Sequence, residues 1–515
     1  MNIKRAREEI KNCIEAYLLK DEHGEYALPA MRQRPLFLVG PPGIGKTQIM
    51  EQVARECRVG LVAYTITHHT RQSAIGLPFI EKKKYGREIH SVTEYTMSDI
   101  VASVYDYIEE TGMREGILFI DEINCVSETL APTMLQFLQY KTFGNHRVPE
   151  GWLIVTAGNP PEYNKSVREF DIATLDRIKR IEVEADFAVW KEYAQETAVH
   201  PAVISYLEAR KDHFYCIETT VDGKYFATPR GWEDLARFLE IYEKLGKTVD
   251  RDVVYQYIEH PGIAKDFAAY LELYYKYKTD YQIENLLSGS VSEELTERLS
   301  AAPFDEKLSV IHLILAHLNE QFRDIYRKES YLEELLEQLT RFKKQMEESA
   351  VDLAEKSAEN PVEKSFPAEF LSHLAAELNR NLEAARKAGL VSRSEDYILR
   401  DAAERLEDYG KILKKEAVTE PEAGLDRVKA LFDAESDDFE GESEKLLTML
   451  EHAFDFMERS FGDSQEMVIF VTELNTNYYS VSFLKENECP RYFEYNKHLL
   501  FEEKEESIRQ RLEKL

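Results

Sequence analysis

A chain of 515 residues is too long for one ordinary domain and fits about three. With 43% hydrophobic and 31% charged residues the composition is globular, and a net charge of −30 disfavours broad, sequence-independent binding to nucleic acid or anionic membrane, since both need a basic surface. The five cysteines (Cys13, Cys57, Cys125, Cys216, Cys489) are scattered with no C-x-x-C pair, which reads as reduced thiols of a cytosolic protein and argues against a disulfide frame or a zinc site.

The stretch Met1 to Ile10 has no apolar signal core, and no run of roughly 18 apolar residues occurs anywhere, so a cytoplasmic protein without a membrane span is expected. Residues 3–20 place Ile3, Ile10, Ile14, Tyr17 and Leu18 near one helical stripe. The apolar run Pro35 to Val39 suits a buried parallel strand. It leads into Gly40-Pro41-Pro42-Gly43-Ile44-Gly45-Lys46-Thr47, which fits the phosphate-loop pattern G-x-x-x-x-G-K-[ST]. Gln48 to Cys57 then continues as a helix with Ile49, Met50 and Val53 on one face. Glycines let backbone N–H groups turn inward toward phosphates, and the helix N-terminus adds a favourable dipole. Lys46 would reach the β- and γ-phosphates and Thr47 would ligate Mg²⁺. Gly40 to Gln48 is therefore the expected nucleotide cradle.

Gly60 to Ile66 is a second strand candidate, and strands alternating with helices point to a parallel sheet covered on both faces. His68 and His69 invite a metal reading, but no Cys, Asp or Glu stands nearby at ligand spacing. Residues 79–90 look like a hairpin with a basic tip at Lys84-Tyr85-Gly86. Residues 97–112 form a helix ended by Gly112. Gly116 to Glu122 follows, with four apolar residues running into two carboxylates, the Walker B pattern. A buried strand carries such acids to the edge where α/β sheets keep their sites. Asp121 would hold Mg²⁺ and Glu122 would polarise the attacking water; the plainer reading is a strand end with solvated acids. Residues 127–140 read as a helix, Lys141 to Arg147 as a short polar hairpin, and Trp152 to Pro160 as another buried strand ending in Asn159. That Asn would orient the water relative to the γ-phosphate, or form the turn before Pro160.

Together with Leu175-Asp176-Arg177-Ile178-Lys179-Arg180-Ile181, this order of motifs resembles the AAA+ ATPase superfamily over roughly residues 30–280, and most closely its MoxR-like and dynein-related branch. The resemblance implies an α/β P-loop NTPase core with helices on both faces of a parallel sheet (1–185), a small α-helical lid (186–285) and, beyond the likeness, a mostly α-helical C-terminal region (286–515). It implies ATP and Mg²⁺ as cofactors. It makes Asn159 sensor 1, Arg177 the arginine finger offered to a neighbouring subunit, with Arg168 and Arg180 as rivals, and Arg230 of Thr228-Pro229-Arg230 sensor 2. An arginine supplied in trans ties hydrolysis to assembly, most often as a hexameric ring. The resemblance further implies chaperone-like remodelling of a protein partner, of which proteins with a von Willebrand A domain are the type. Two alternatives stay open. One is a nucleic-acid motor or restriction-type NTPase subunit, for which no basic groove or DNA-reading module is seen. The other is a nucleotide-stabilised scaffold without turnover, which need not keep Lys46, Asp121 and Glu122.

In the remainder, Tyr270, Tyr274, Tyr277 and Tyr281 form a stripe that reads as packing. Leu332, Leu335, Leu339, Phe342, Met346 and Leu353 approximate a heptad seam, best read as a helix within a bundle. Ala358 to Pro361 and Phe366-Pro367 mark a break, and residues 368–415 are helical again. Asp433 to Glu444 reads as an acidic, poorly packed stretch. Residues 465–474 fit helix or strand, and the last fifteen or so residues a charged helix.

Overall fold

A computed structural model describes residues 1–68, 74, 76–163, 167, 170–221, 223–355 and 367–497, with backbone alone over 349–355. His69, Arg168, the break at 358–366 and the expected C-terminal helix lie outside the described residues. The chain forms two compact units. The first comprises Met1–Val189, Thr228–Arg230 and Asn381–Ser392; the second comprises Trp190–Ala227, Gly231–Arg380 and Arg393–Leu515.

The first unit is built on a five-stranded parallel sheet. Its strands, numbered with the hairpin strands in chain order, are β1 (Leu36–Val39), β2 (Gly60–Thr65), β5 (Gly116–Asp121), β8 (Trp152–Gly158) and β9 (Lys179–Glu182). They lie in the order β2-β5-β8-β1-β9. β1 and β8 are buried along their whole length, as their continuous apolar sequences require of strands covered on both faces. Phe37, Val39, Leu118, Ile120 and Ile154 meet Val101, Val104, Met134 and Phe137 from the covering helices in one core. Strand order reverses across β1, and the register aligns Val39 with Gly158 on one side and Glu182 on the other. The carboxyl ends of β5, β8 and β1 therefore sit side by side, where open α/β sheets bind ligands.

Helix Asp99–Thr111 ends at Gly112 in the left-handed conformation, as expected from its sequence. Hairpin β3–β4 (Pro78–Tyr85, Glu88–Tyr95) is longer than its expected span of residues 79–90, because pairing continues down to Pro78 opposite Tyr95. Hairpin β6–β7 (Thr142–Phe143, His146–Arg147) is short. Its root holds Lys141, which is 4% exposed and donates from Nζ to Gln33 Oε1 at 2.8 Å. Burial lowers the Lys141 ammonium to about 8, with Arg147 adding repulsion.

Folding therefore opposes the charge that the unfolded chain keeps up to its ordinary value near 10.5. The cost is complete below pH ~8 and is relieved as pH rises toward ~10. Lys141→Met is expected to remove this dependence. Chemical denaturation across pH 7–10 should show the variant's stability relative to wild type falling by about 1 kcal/mol per pH unit above pH ~8. A constant difference would mean that the ammonium is solvated.

The second unit is mostly helical. It includes Pro201–Ala209, Pro261–Tyr281, Phe304–Glu355, Pro367–Lys387, Arg393–Lys415 and Pro421–Phe461. Within the expected lid it carries a hairpin that the helical reading passed over, β10–β11 (Cys216–Thr220, Gly223–Ala227). Tyr274 and Tyr281 are buried as packing residues. Leu335, Leu339, Phe342 and Met346 pack with Leu371, Leu374, Leu406 and Val428, so the heptad-like seam of the 52-residue helix is a bundle face. Residues 433–444 lie inside the helix Pro421–Phe461, and of them only Ser443 is buried, so the acidic stretch is helical and thinly packed. Two of its acids, Glu435 and Glu442, nevertheless have partners. Tyr331 and Tyr409 donate to Glu435 at 2.8 and 2.6 Å, Arg405 pairs with it at 2.8 Å, and Lys328 pairs with Glu442 at 2.8 Å. Residues 465–474 resolve to helix (Gln465–Thr476), with Met467, Phe470, Val471 and Leu474 buried at helical spacing. Among the described residues no helix is long and apolar enough to cross a membrane.

Candidate nucleotide site

The loop after β1 owes its curl to Gly43 and Gly45, at φ 77° and 89°. A side chain at Gly43 would also bring a Cβ within 3.1 Å of Thr228. Positive φ at these positions turns the backbone into the concavity that a phosphate chain requires. Pro41, Pro42 and Ile44 shape the rest of the loop. Gln48 is exposed on the first turn of helix Lys46–Cys57.

Lys46 is 8% exposed, and its Nζ donates to the carbonyls of Gly40 (2.9 Å) and Pro41 (2.7 Å) and to Asn159 Oδ1 (2.9 Å). Thr47 Oγ1 donates to Asp121 Oδ2 at 3.0 Å, while Asp121 Oδ1 accepts from the Glu122 backbone N–H at 2.9 Å. Glu122 itself stands at φ 57°. This left-handed conformation is costly for a side chain with a Cβ, and it turns the strand end sharply into the short helix Ile123–Cys125. On the core side the Arg230 backbone N–H donates to the Gly43 carbonyl at 3.1 Å, and the Arg230 side chain is exposed. Lys46, Thr47, Asp121, Glu122, Asn159 and Arg230 are thus gathered at one sheet edge.

Arg177 is not among them. It follows the short helix Ile172–Leu175, whose first turn is capped by Asp171 accepting from the Thr174 N–H at 2.7 Å. It precedes β9, whose first residue, Lys179, lies beside Leu36, at the opposite end of the sheet from Gly40. The intervening strand spans roughly 13 Å. The exposed Arg177 lines a hollow of about 300 Å³ with Gln136, Gln139 and Thr174. Of its rivals, Arg180 pairs with Glu182 at 2.7 Å.

Asn124 is a site residue that the sequence reading missed. It is 5% exposed, and its Nδ2 donates to the Asn159 carbonyl at 2.8 Å, tying the turn after Glu122 to the end of β8. A side chain at Gly158 would put a Cβ 2.4 Å from Asn124 Oδ1. The available signal was an Asn two residues beyond the acid pair. Its partner shows only once β5 and β8 are known to be neighbours.

Elsewhere Cys216, Glu218 and His260 lie within ligand distance of one another. His260 Nδ1 accepts from the Ile263 N–H at 3.2 Å and caps a helix, so the ring proton sits on Nε2, facing Glu218 at 3.3 Å. A metal there would have to break the cap.

The donor set at the sheet edge fits a magnesium nucleotide. A hydroxyl and a carboxylate already 3.0 Å apart suit a hard cation, and the glycine cradle with its buried ammonium suits phosphate. Burial lowers the Lys46 ammonium to about 8; Asp121 partly offsets this, and Arg230 reinforces it. A bound phosphate chain favours the charged amine. Binding therefore takes up a proton above pH ~8, and nucleotide affinity is expected to fall by up to about tenfold per pH unit there. Titration with a fluorescent ATP analogue between pH 7 and 9.5 checks this. A flat profile would show that Lys46 stays charged in the free protein.

The fold and this edge are those of a P-loop domain. Residues 35–178 match the family of AAA domains of the dynein-related subfamily, and this segment is an AAA+ domain. No curated protein matches the chain. Solved structures that align with part of this chain include one on the structural basis of katanin self-assembly, 17% identical, covering 48% of this chain and 73% of that one, with a TM-score of 0.29. Another is the Thermotoga maritima RuvB Holliday junction branch migration motor, 15% identical, covering 50% and 69%, with a TM-score of 0.28.

Proposed function

We propose that this protein is an ATPase of the MoxR-like kind that hydrolyses ATP with Mg²⁺ and couples turnover to remodelling or maturation of a protein partner. The observation that carries the reading is the pairing of Lys46 with Asn159 (2.9 Å) and of Thr47 with Asp121 (3.0 Å) across three neighbouring strand ends. Gly40 to Gln48 would wrap the phosphates, and Thr47 and Asp121 would hold Mg²⁺, which when bound neutralises phosphate charge. Glu122 would take a proton from the attacking water, Asn159 would orient that water, and Arg230 would approach the γ-phosphate of its own subunit. Arg177, on the far edge, would serve the site of a neighbouring copy in a ring, a hexamer by the resemblance. A partner with a von Willebrand A domain, and a cytoplasmic setting, come from that resemblance and the composition. The net charge of −30 favours a protein target over nucleic acid. Phosphate release from ATP by the purified chain, alone and with proteins captured from cells by the Glu122→Gln variant, tests the reading. No release above that of Lys46→Ala under any of these conditions would end it.

A further inference from the structure

Asn159 stands one residue beyond the sheet. The pairing of β8 with β1 ends at Gly158, opposite Val39, and Pro160 follows with no N–H to offer. Two side chains hold the residue in place. Lys46 Nζ donates to Asn159 Oδ1 at 2.9 Å, and Asn124 Nδ2 donates to the Asn159 carbonyl at 2.8 Å. A nucleotide would treat these two restraints differently. A phosphate chain in the loop competes for the Lys46 ammonium, which already serves the carbonyls of Gly40 and Pro41. The Asn124 amide is only 5% exposed, on the short helix Ile123–Cys125, and its bond to Asn159 does not compete with phosphate.

The contact has the marks of a built one. A Cβ at Gly158 would lie 2.4 Å from Asn124 Oδ1, 2.7 Å from its Cγ and 2.9 Å from its Nδ2. The flat amide therefore rests on the glycine, and any larger residue at 158 would displace it. Asn124 also keeps its Oδ1 buried without a hydrogen bond among the described residues. An unmatched buried acceptor costs stability, and an apolar side chain would not incur that cost. Packing alone does not call for Asn here, since the preceding Ile123 is 1% exposed in the apolar core of the first unit. Finally, the Cys125 N–H donates to the Glu122 carbonyl at 2.9 Å, and Glu122 stands at φ 57°. The turn that carries Asn124 is thus the turn that aims Glu122.

We infer that Asn124 is a positioning residue for hydrolysis: it fastens Asn159 to the turn that carries Glu122, so that the two keep their spacing once a nucleotide draws Lys46 away. This rests on the ATPase reading given above. Asn124 moves no proton and touches no phosphate; it acts through the Asn159 backbone.

Asn124→Ala is expected to lower kcat by about tenfold or more, because small displacements of a group that orients the reactants are costly. KM and ADP affinity should stay within about threefold of wild type. Asn124→Ser, too short to reach the carbonyl, should behave alike and serves if the Ala variant fails to fold. Gly158→Ala pushes the amide off its seat and should also lower kcat. In the double variant the new methyl has the room that the amide left. Its loss should therefore match that of Asn124→Ala instead of the product of the two single losses, and the full product would count against a shared contact. A second readout needs no turnover. Asn159 faces the γ-phosphate in this reading, so Asn124→Ala should reduce the preference for the thiophosphate analogue ATPγS over ADP by about threefold or more. If wild type releases no more phosphate than Lys46→Ala, the ATPase reading fails, and that preference still decides the role of Asn124. Unchanged kcat and preference in Asn124→Ala, or a loss of ADP affinity as large as the loss of kcat, would overturn the inference.

Discussion

Replacing Glu122 by Gln is expected to lower phosphate release by about a hundredfold or more, the usual contribution of a positioned general base, while leaving nucleotide affinity within a few-fold of wild type. The expectation follows from how the residue is held. Its backbone N–H is bonded to Asp121 Oδ1 at 2.9 Å, and its φ of 57° sets the turn. Gln pays the same backbone cost and has nearly the same volume, so Asp121, Thr47 and the Asn124–Asn159 link should stay in place. What is lost is the capacity to take a proton. Equal turnover in wild type and variant would mean that another group activates water. Weakened nucleotide binding in proportion to turnover would mean that the substitution had disturbed the cradle itself.

The second large effect is expected at Arg177. Arg177→Ala should reduce turnover by about a thousandfold, the scale seen for a transferred arginine, with little change in nucleotide affinity. Its position at the end of the sheet remote from Gly40 makes a decisive mixing experiment possible. Lys46→Ala subunits have a defective cradle but an intact Arg177. Arg177→Ala subunits have the reverse. Neither should release phosphate alone, and a mixture should recover a measurable fraction of wild-type activity. Mixtures as inactive as their parents, in assemblies shown by mass to contain both, would rule out a role in trans. Arg180, paired with Glu182, would then be the next residue to replace.

The parts of the site that the sequence made legible are those encoded in local spacing. Glycines at fixed intervals followed by Lys-Thr, and an apolar run ending in two acids, need no knowledge of neighbouring strands. The parts it hid depend on adjacency. Asn124 matters because β8 lies beside β5, and Lys141 because Gln33 reaches it from more than a hundred residues away in sequence. The partners of Glu435 in the acidic run 433–444 were hidden for the same reason, since Tyr331, Arg405 and Tyr409 come from other helices. The β10–β11 hairpin was different, because its β-branched Ile217, Thr219 and Thr220 and its glycine were visible, but the surrounding helical pattern outweighed five-residue strands.

The 52-residue helix Phe304–Glu355 is roughly 78 Å long at the standard rise per residue. Its first turns are buried among other helices, and Leu335, Leu339, Phe342 and Met346 are still packed in a core farther along. A rod anchored in this way transmits angle better than it absorbs it. A tilt of about five degrees at one end would carry the other through roughly 7 Å, more than one helical turn. Small rotations of the helices around residue 310 are therefore geared up, without any hinge inside the rod, into displacements large enough to re-register whatever grips its far end.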